Sequence, residues 1–308
     1  MLQSLKGKHS AYIFDDEKKE DLLRDKGKFG NTYIGKDEKG EKVVIKKLST
    51  HLKKDEKAVK RFLREAEIPS AHTNIIKCRE TFEQNGDYYL VREFVEGKSL
   101  KEIKADAKFI IQCAIKVLDA LEYLHKQNIV HRDVRPNNII VNGDNVTLID
   151  LGLAKTANDE NEKTPFSLIY SSPEQVLNSN EFVNASSDLY SLAITIYECI
   201  TGKSAFSHTH PEMLMHMMIN KPIEPNRKIP AQLFSVLLKA TNKCSLPKPP
   251  RKYTRKELIN FLLEGQKHRY SSASEFREAL LAVDLKEANR NLFDFFKKIS
   301  QTSLFICP

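Results

Sequence analysis

The chain has 308 residues, with 49 lysines and arginines against 41 aspartates and glutamates and a formal net charge of +8. Hydrophobic residues make up 41% and charged residues 29%, which is the mixture of a folded globular protein and excludes a wholly disordered or fibrous chain. No run approaches the roughly 18 apolar residues of a membrane span, and the charged N-terminus lacks the apolar core of a signal peptide. We expect a cytoplasmic protein without a membrane span. A protein exported by a signal-independent route would have the same sequence features. The five cysteines include no CxxC pair and predict reduced thiols without a zinc site.

The N-terminal third of the chain is rich in predicted strands. Residues 1–21 are an extension, and residues 22–96 contain short strand-like runs such as NTYIG, KVVIKKL and DYYLVREFV. One helix interrupts them at about 54–68, where apolar residues recur at helical spacing until Pro69 ends the pattern. This region is predicted to form a small, sheet-rich lobe.

Residues 97–283 have a helical character. The segments KFIIQCAIKVLDALEYLHKQ and SSDLYSLAITIYECITG predict long helices, and the second is apolar enough to be buried on most sides. Two short strand-like pieces, IVHRDV and NVTLIDLG, lie between them, and a polar loop follows the second. A larger helical lobe is therefore expected after the small one.

Two segments near the C-terminus stand apart. Residues 245–265 form an insertion, in which Thr254 and Glu257 make a capping box that begins a helix and Gly265 is expected to end it. Residues 284–308 open as an amphipathic helix and are predicted to be a helical extension.

Three motifs occur in one order: the glycine loop DKGKFGNTY with a strand lysine after it, then HRDVRPNN, then DLG. With these motifs the sequence resembles a Hanks-type serine/threonine protein kinase, most like compact bacterial members, over about residues 22–283. The resemblance implies a two-lobed α+β fold, with a β-rich N-lobe that has one main helix and a larger helical C-lobe. It also implies that ATP and Mg²⁺ are required and that ATP binds between the lobes.

The resemblance assigns nucleotide contacts to the first lobe. Gly27 and Gly30 would let the backbone close over the phosphates where a Cβ would obstruct it. Lys46 matches the lysine that contacts the α and β phosphates, and Glu65 matches the helix glutamate that pairs with it.

The adenine contacts are implied for Glu93 and Val95, through backbone groups of the connection between the lobes.

Catalytic and metal-binding roles follow from the other two motifs. Asp133 would orient the acceptor hydroxyl and take its proton, while Arg135 and Lys46 would offset phosphate charge. Asn138 and Asp150 would bind Mg²⁺, which prefers hard oxygen ligands.

The resemblance also assigns regulatory and structural residues. Thr164 and Ser167 are predicted phosphorylation sites, although Ser167 is also a candidate for contact with the substrate. Glu174 is expected to pair with Arg269, and Asp188 to hold the backbone of the HRD loop.

The sequence departs from the family around the nucleotide. Asp25 replaces the first glycine of the loop, and Arg92 stands before the hinge, where a medium-sized apolar residue is usual. The stretch from Glu65 to His72 is also shorter than usual, so the Glu65 ion pair is open to displacement or regulation. We therefore keep a second hypothesis, a catalytically weak or dead kinase fold that serves as a binding module.

Our main hypothesis is a Mg²⁺- and ATP-dependent kinase that phosphorylates serines and threonines of proteins, with autophosphorylation of its activation loop. Nucleic-acid binding is not expected, because no lysine- or arginine-rich run is interleaved with stacking aromatics. The oligomeric state is not predicted.

Overall fold

A computed structural model of the chain describes residues 2–18, 22–24, 30–154, 168–246 and 248–285. Gly27, Thr164 and Ser167, which the sequence places in functional roles, lie outside these residues, as does Asp25.

The chain divides into two compact units. The first is formed by Met1–Gly97 together with Ile149–Leu153, and the second by Lys98–Leu148 together with Ala154–Pro308. The short segment around the DLG motif is thus part of the first unit, so Asp150 belongs with Lys46 and Glu65.

The first unit is built on one antiparallel sheet, with strand order β1-β2-β4-β5-β7-β6 and β3 paired to β4. One helix, α1, spans Glu56–Arg64 and begins at Asp55, whose side chain accepts hydrogen bonds from two backbone amides of the first turn. The predicted strand runs and helix are confirmed. The strands are β1 (Leu2–Lys6), β2 (Ala11–Asp15), β3 (Leu22–Arg24), β4 (Gly30–Asp37), β5 (Lys42–Leu48), β6 (Cys78–Gln84) and β7 (Asp87–Glu93).

The first two strands form a hairpin that belongs to the core of this unit. Leu5, Tyr12 and Phe14 are buried in the same apolar cluster as side chains of the central strands. The Gln84 side chain bridges β6 to β1, since it accepts from the Lys6 amide at 2.7 Å and donates to the Ser4 carbonyl at 3.1 Å. The sheet therefore curls until its two outer strands meet. The sequence alone predicts no structure for this N-terminal extension.

The second unit is mostly helical and has a small sheet of order β10-β9-β8. Both long helices predicted from the sequence are confirmed, and nearly every residue of the second of them, α4, is buried. The strands are β8 (Lys98–Ser99), β9 (Ile139–Asn142) and β10 (Asn145–Leu148). The helices are α2 (Ala107–His125), α3 (Pro173–Val176), α4 (Ala185–Thr201), α5 (Pro211–Asn220), α6 (Ala231–Ala240), α7 (Arg255–Lys267) and α8 (Ala273–Leu281).

The expected strand IVHRDV is not formed as such. Only Val130 makes a strand-like bridge, and the chain then continues without regular structure as far as Arg135. The reason is that a buried carboxylate, and not a neighbouring strand, accepts the backbone amides of His131 and Arg132.

Residues 255–265 of the segment predicted to be an insertion belong to α7, and the predicted capping box of Thr254 and Glu257 is formed. Gly265 does not end this helix, which continues to Lys267. An added Cβ at Gly265 would lie 2.9 Å from the amide nitrogen of Cys244 and from Cα of Lys243, so the glycine lets the helix approach that backbone. Close packing, and not helix termination, explains the residue.

Among the cysteines of the described residues, Cys78, Cys113 and Cys199 are free, as the sequence predicts. Among the helices of the described residues, none combines the length and the apolar character needed to cross a membrane.

Candidate active site

In the first unit, the carboxylates of Glu65 and Asp150 contact the ammonium group of Lys46, which lies on β5. Its Nζ donates to Glu65 Oε1 at 2.9 Å and Oε2 at 2.8 Å, and to Asp150 Oδ1 at 2.7 Å. Glu65 is only 5% exposed, so this ion pair is shielded from water. The sequence placed Lys46 with Glu65, and the structure adds Asp150 to the same ammonium group.

Glu65 lies just beyond the end of α1, in a 3₁₀ turn over Glu65–Glu67, and not within the α-helix that the sequence predicted. The 3₁₀ turn and then Pro69 follow α1, and the next strand begins at Cys78. Because the turn still directs the carboxylate to Lys46, the short connection does not displace the pair.

Arg92 is buried close to that pair. It lies in β7, is 7% exposed, and its Nη1 is 3.7 Å from Glu65 Oε1. The charge that the sequence marked as unusual before the hinge therefore has a counter-ion.

Gly30 is required by the sheet itself. Its φ is +152°, and an added Cβ would lie 1.8 Å from the backbone carbonyl oxygen of Lys47 on the paired strand. No other residue fits there without moving the strand. Of the two residues expected to bind adenine, Glu93 ends β7 and Val95 follows in the segment after it.

The second unit holds the HRD motif, with Asp133 at its centre. Asn138 Nδ2 donates to the Asp133 backbone oxygen at 2.8 Å and to Asp133 Oδ2 at 2.9 Å. Arg135 Nε is 3.4 Å from the same Oδ2. Asp133 Oδ1 is buried and has no hydrogen-bond partner among the described residues. One oxygen of this carboxylate is thus held in place and the other is left for an incoming donor.

The loop that carries Asp133 is held by the side chain of Asp188 on α4, which is fully buried. Its carboxylate accepts the amides of His131 and Arg132, each at 2.8 Å, and lies 2.8 Å from His125 Nε2. The sequence predicted the role of Asp188. It missed His125, because a histidine at a helix C-terminus carries no signal of its own.

Glu174 and Arg269 form a fully buried ion pair in the same unit, as the resemblance implied. Arg269 donates from Nη1 and Nη2 to the two carboxylate oxygens, at 2.8 and 3.2 Å. The Ser187 hydroxyl donates to Glu174 Oε1 at 2.6 Å. Burial would raise the pKa of Glu174, but the charge and hydrogen bonds of Arg269 outweigh it, so the pKa lies below its ordinary value.

Two non-glycine residues of the motifs have left-handed backbone conformations. Arg132 has a φ of 65° and Asp150 a φ of 71°. Such conformations are strained and persist only where the surroundings hold them, and they concentrate at functional sites.

The two predicted metal ligands are both hard oxygen donors. The amide nitrogen of Asn138 donates to Asp133, which leaves Oδ1 of Asn138 as its oxygen donor, and Asp150 carries a carboxylate. Across the described residues, no group of three or more His, Cys, Asp and Glu side chains is arranged to hold a metal. An amide oxygen and a carboxylate are each hard donors of the kind that Mg²⁺ prefers.

Comparison with known proteins agrees with these arrangements. A sequence profile described as a protein kinase domain matches residues 25–285. A protein of Clostridium perfringens, named probable serine/threonine-protein kinase, is 34% identical over 237 residues, which are 71% of this chain and 34% of the relative.

Two further relatives carry similar names. The serine/threonine-protein kinase PrkC of Bacillus subtilis is 31% identical over 234 residues, 70% of this chain and 36% of the relative. The serine/threonine-protein kinase PknB of Mycobacterium leprae is 30% identical over 262 residues, 78% of this chain and 38% of the relative. The chain thus spans about a third of the length of these relatives.

Proposed function

The chain belongs to the protein kinase family, and we propose that it transfers the γ-phosphate of ATP to serine and threonine hydroxyls of proteins. The observation that carries the proposal is the Asp133 carboxylate. Asn138 orients its Oδ2, while its Oδ1 is buried without a hydrogen-bond partner among the described residues. Leaving such an atom unpaired is unfavourable unless a ligand completes it, and an acceptor hydroxyl is a donor of the right kind.

The cluster around Lys46 supports the nucleotide half of the reaction. Lys46 is a cation held by Glu65 in a shielded position, and phosphoryl transfer depends on positioning and on electrostatic stabilisation of phosphate oxygens. Asn138 and Asp150 would hold Mg²⁺, which supplies neutralising charge at the phosphates. Arg135, next to Asp133, adds a further fixed positive charge.

The preference for serine and threonine rests on the names of the relatives and on Pro136 after Arg135. Autophosphorylation at Thr164 and Ser167 is part of the proposal, as is a cytoplasmic location. Protein substrates are expected, because the relatives are named protein kinases.

The test compares the natural chain with Asp133→Asn, which keeps the shape of the side chain and removes the proton acceptor. Transfer of labelled phosphate from MgATP, to the chain itself and to a generic basic protein, should fall by about 10²- to 10⁴-fold. MgATP affinity should be retained. Asp144→Asn, the same change at an exposed turn of the second unit, is the control and should transfer phosphate normally.

Equal transfer by the natural chain and Asp133→Asn would contradict the proposal. A natural chain that binds MgATP but transfers no phosphate would favour the alternative, a kinase fold that acts as a binding module.

A further inference from the structure

The register of the central strands brings Arg92 to the same face of the sheet as Lys46. Lys46 on β5 lies opposite Leu90 on β7, and Arg92 follows two residues later on that strand. Residues two apart on a strand point to the same side, and diagonal neighbours lie roughly 7–8 Å apart, within reach of long side chains. Both cations therefore extend over one face and converge on Glu65.

The hydrogen-bonding capacity of Lys46 is fully used in this structure. Its ammonium group has three protons, and they go to two oxygens of Glu65 and one of Asp150. A phosphate oxygen can gain a hydrogen bond from Lys46 only if one of these bonds is given up. If the bond given up is the one to Glu65 Oε1, that buried oxygen needs another donor.

Arg92 is placed to supply that donor. Its Nη1 is buried, has no hydrogen-bond partner among the described residues, and lies 3.7 Å from Glu65 Oε1. The separation is an ion-pair distance, and a movement of about 1 Å would make it a hydrogen bond.

We propose that Arg92 is a positioning residue for nucleotide binding: it takes over Glu65 Oε1 when Lys46 turns one N–H towards a phosphate of ATP. This inference rests on the proposed function, because it needs the phosphates as the competing acceptor.

The charges around the site fit this exchange. Lys46 and Arg92 balance Glu65 and Asp150. Cys78, which is beside Arg92 on β6, adds no charge, because burial and then the Glu65 carboxylate raise the pKa of its thiol to about 12. Among these two cations, two carboxylates and the Cys78 thiol, removal of Arg92 would leave Lys46 as the one cation.

The experiment measures MgATP affinity of the full chain by calorimetry, with unfolding temperature recorded for each variant. Arg92→Met should weaken the affinity about tenfold, the size expected for losing a hydrogen bond to a charged group. Arg92→Lys, which retains the charge but not the fork, should be intermediate. The matched control is Arg79→Met, which removes a salt-bridged arginine from the adjacent strand, and it should bind MgATP as the natural chain does.

A Glu65→Gln background separates positioning from general destabilisation. There, adding Arg92→Met should weaken MgATP binding by less than twofold, since the carboxylate that couples the two residues is gone. Should Arg92→Met be too unstable to assay, the comparison is made with Arg92→Lys.

Three results would overturn the inference. An Arg92 variant that binds MgATP within twofold of the natural chain, while the natural chain binds and transfers phosphate, overturns this inference alone. The same holds if the loss is equally large in the Glu65→Gln background. A natural chain that binds no MgATP overturns both this inference and the proposed function.

Discussion

Two cations of the described residues, Lys46 and Arg269, each pair with a buried glutamate. Lys46 is held by Glu65, and Arg269 meets Glu174 in a bidentate pair with both side chains almost completely buried. A paired buried charge is tolerated, but removing one partner leaves the other charge without compensation and is strongly destabilising. Each such residue is therefore sensitive to substitutions that keep its size and change only its charge.

Glu174→Gln should lower the free energy of unfolding by about 3 kcal/mol at neutral pH, because it leaves Arg269 buried without a counter-ion. The pKa of Glu174 is lowered in the folded protein, so its contribution is present above the unfolded-state pKa of about 4.3 and is lost as the pH falls through the folded value. The variant should therefore lose less stability than the natural chain as the pH falls below about 4.5.

Denaturant unfolding at several pH values from neutral to acidic measures this difference. The exposed Glu278→Gln is the control and should follow the natural chain at every pH. Parallel pH curves for the natural chain and Glu174→Gln would show that Glu174 has no lowered pKa.

At the scale of elements, the hairpin of β1 and β2 depends on one carboxylate of β6. Glu80 accepts the amide of Lys8 at 2.5 Å and the amide of His9 at 3.3 Å, both in the turn of the hairpin. It also accepts the Tyr12 hydroxyl at 2.7 Å, and burial together with that bond raises the pKa of Tyr12. These hydrogen bonds hold the turn between β1 and β2 against β6, at the opposite edge of the sheet.

Glu80→Gln should loosen this hairpin, since an amide cannot accept all these bonds through its oxygen alone. We expect a loss of about 1.5–3 kcal/mol of stability and faster amide hydrogen exchange in residues 2–15. Exchange in α4 of the second unit should change little. Glu83→Gln, at an exposed position of the same strand, is the control, and equal exchange in both variants would show that Glu80 does not hold the hairpin.

For the molecule as a whole, ligand binding should increase the free energy of unfolding. A ligand that binds only the folded chain stabilises it by about 2.7 kcal/mol at a concentration 100 times its dissociation constant. Binding of MgATP to this chain should therefore raise its unfolding temperature.

Thermal unfolding of the natural chain and of Asp150→Asn, each with ATP and with or without Mg²⁺, is the measurement. We expect Mg²⁺ to increase the ATP-dependent shift of the natural chain, and to add little in Asp150→Asn, which lacks the carboxylate. A Mg²⁺ effect of equal size in both would contradict the role proposed for Asp150.

Much of the fold follows from local pattern. The apolar periodicity of α2 and α4, the capping box of α7 and the alternation in β5 and β7 are all properties of a short window of sequence. The strand predicted over IVHRDV is not formed, because a long-range contact overrides the local pattern. Its composition is that of a strand, but the distant Asp188 takes the backbone amides that a neighbouring strand would have used.

The family and the chemical groups of the candidate site can be read from the sequence alone, because Lys46, Asp133 and Asp150 stand in motifs along the chain. Which of these groups share a partner depends on the tertiary structure. Arg92 meets Glu65, Asp150 shares Lys46, and Glu80 holds a hairpin through Tyr12, 68 residues away. Contacts of this kind depend on how the strands are registered and curled, which no short window of sequence specifies.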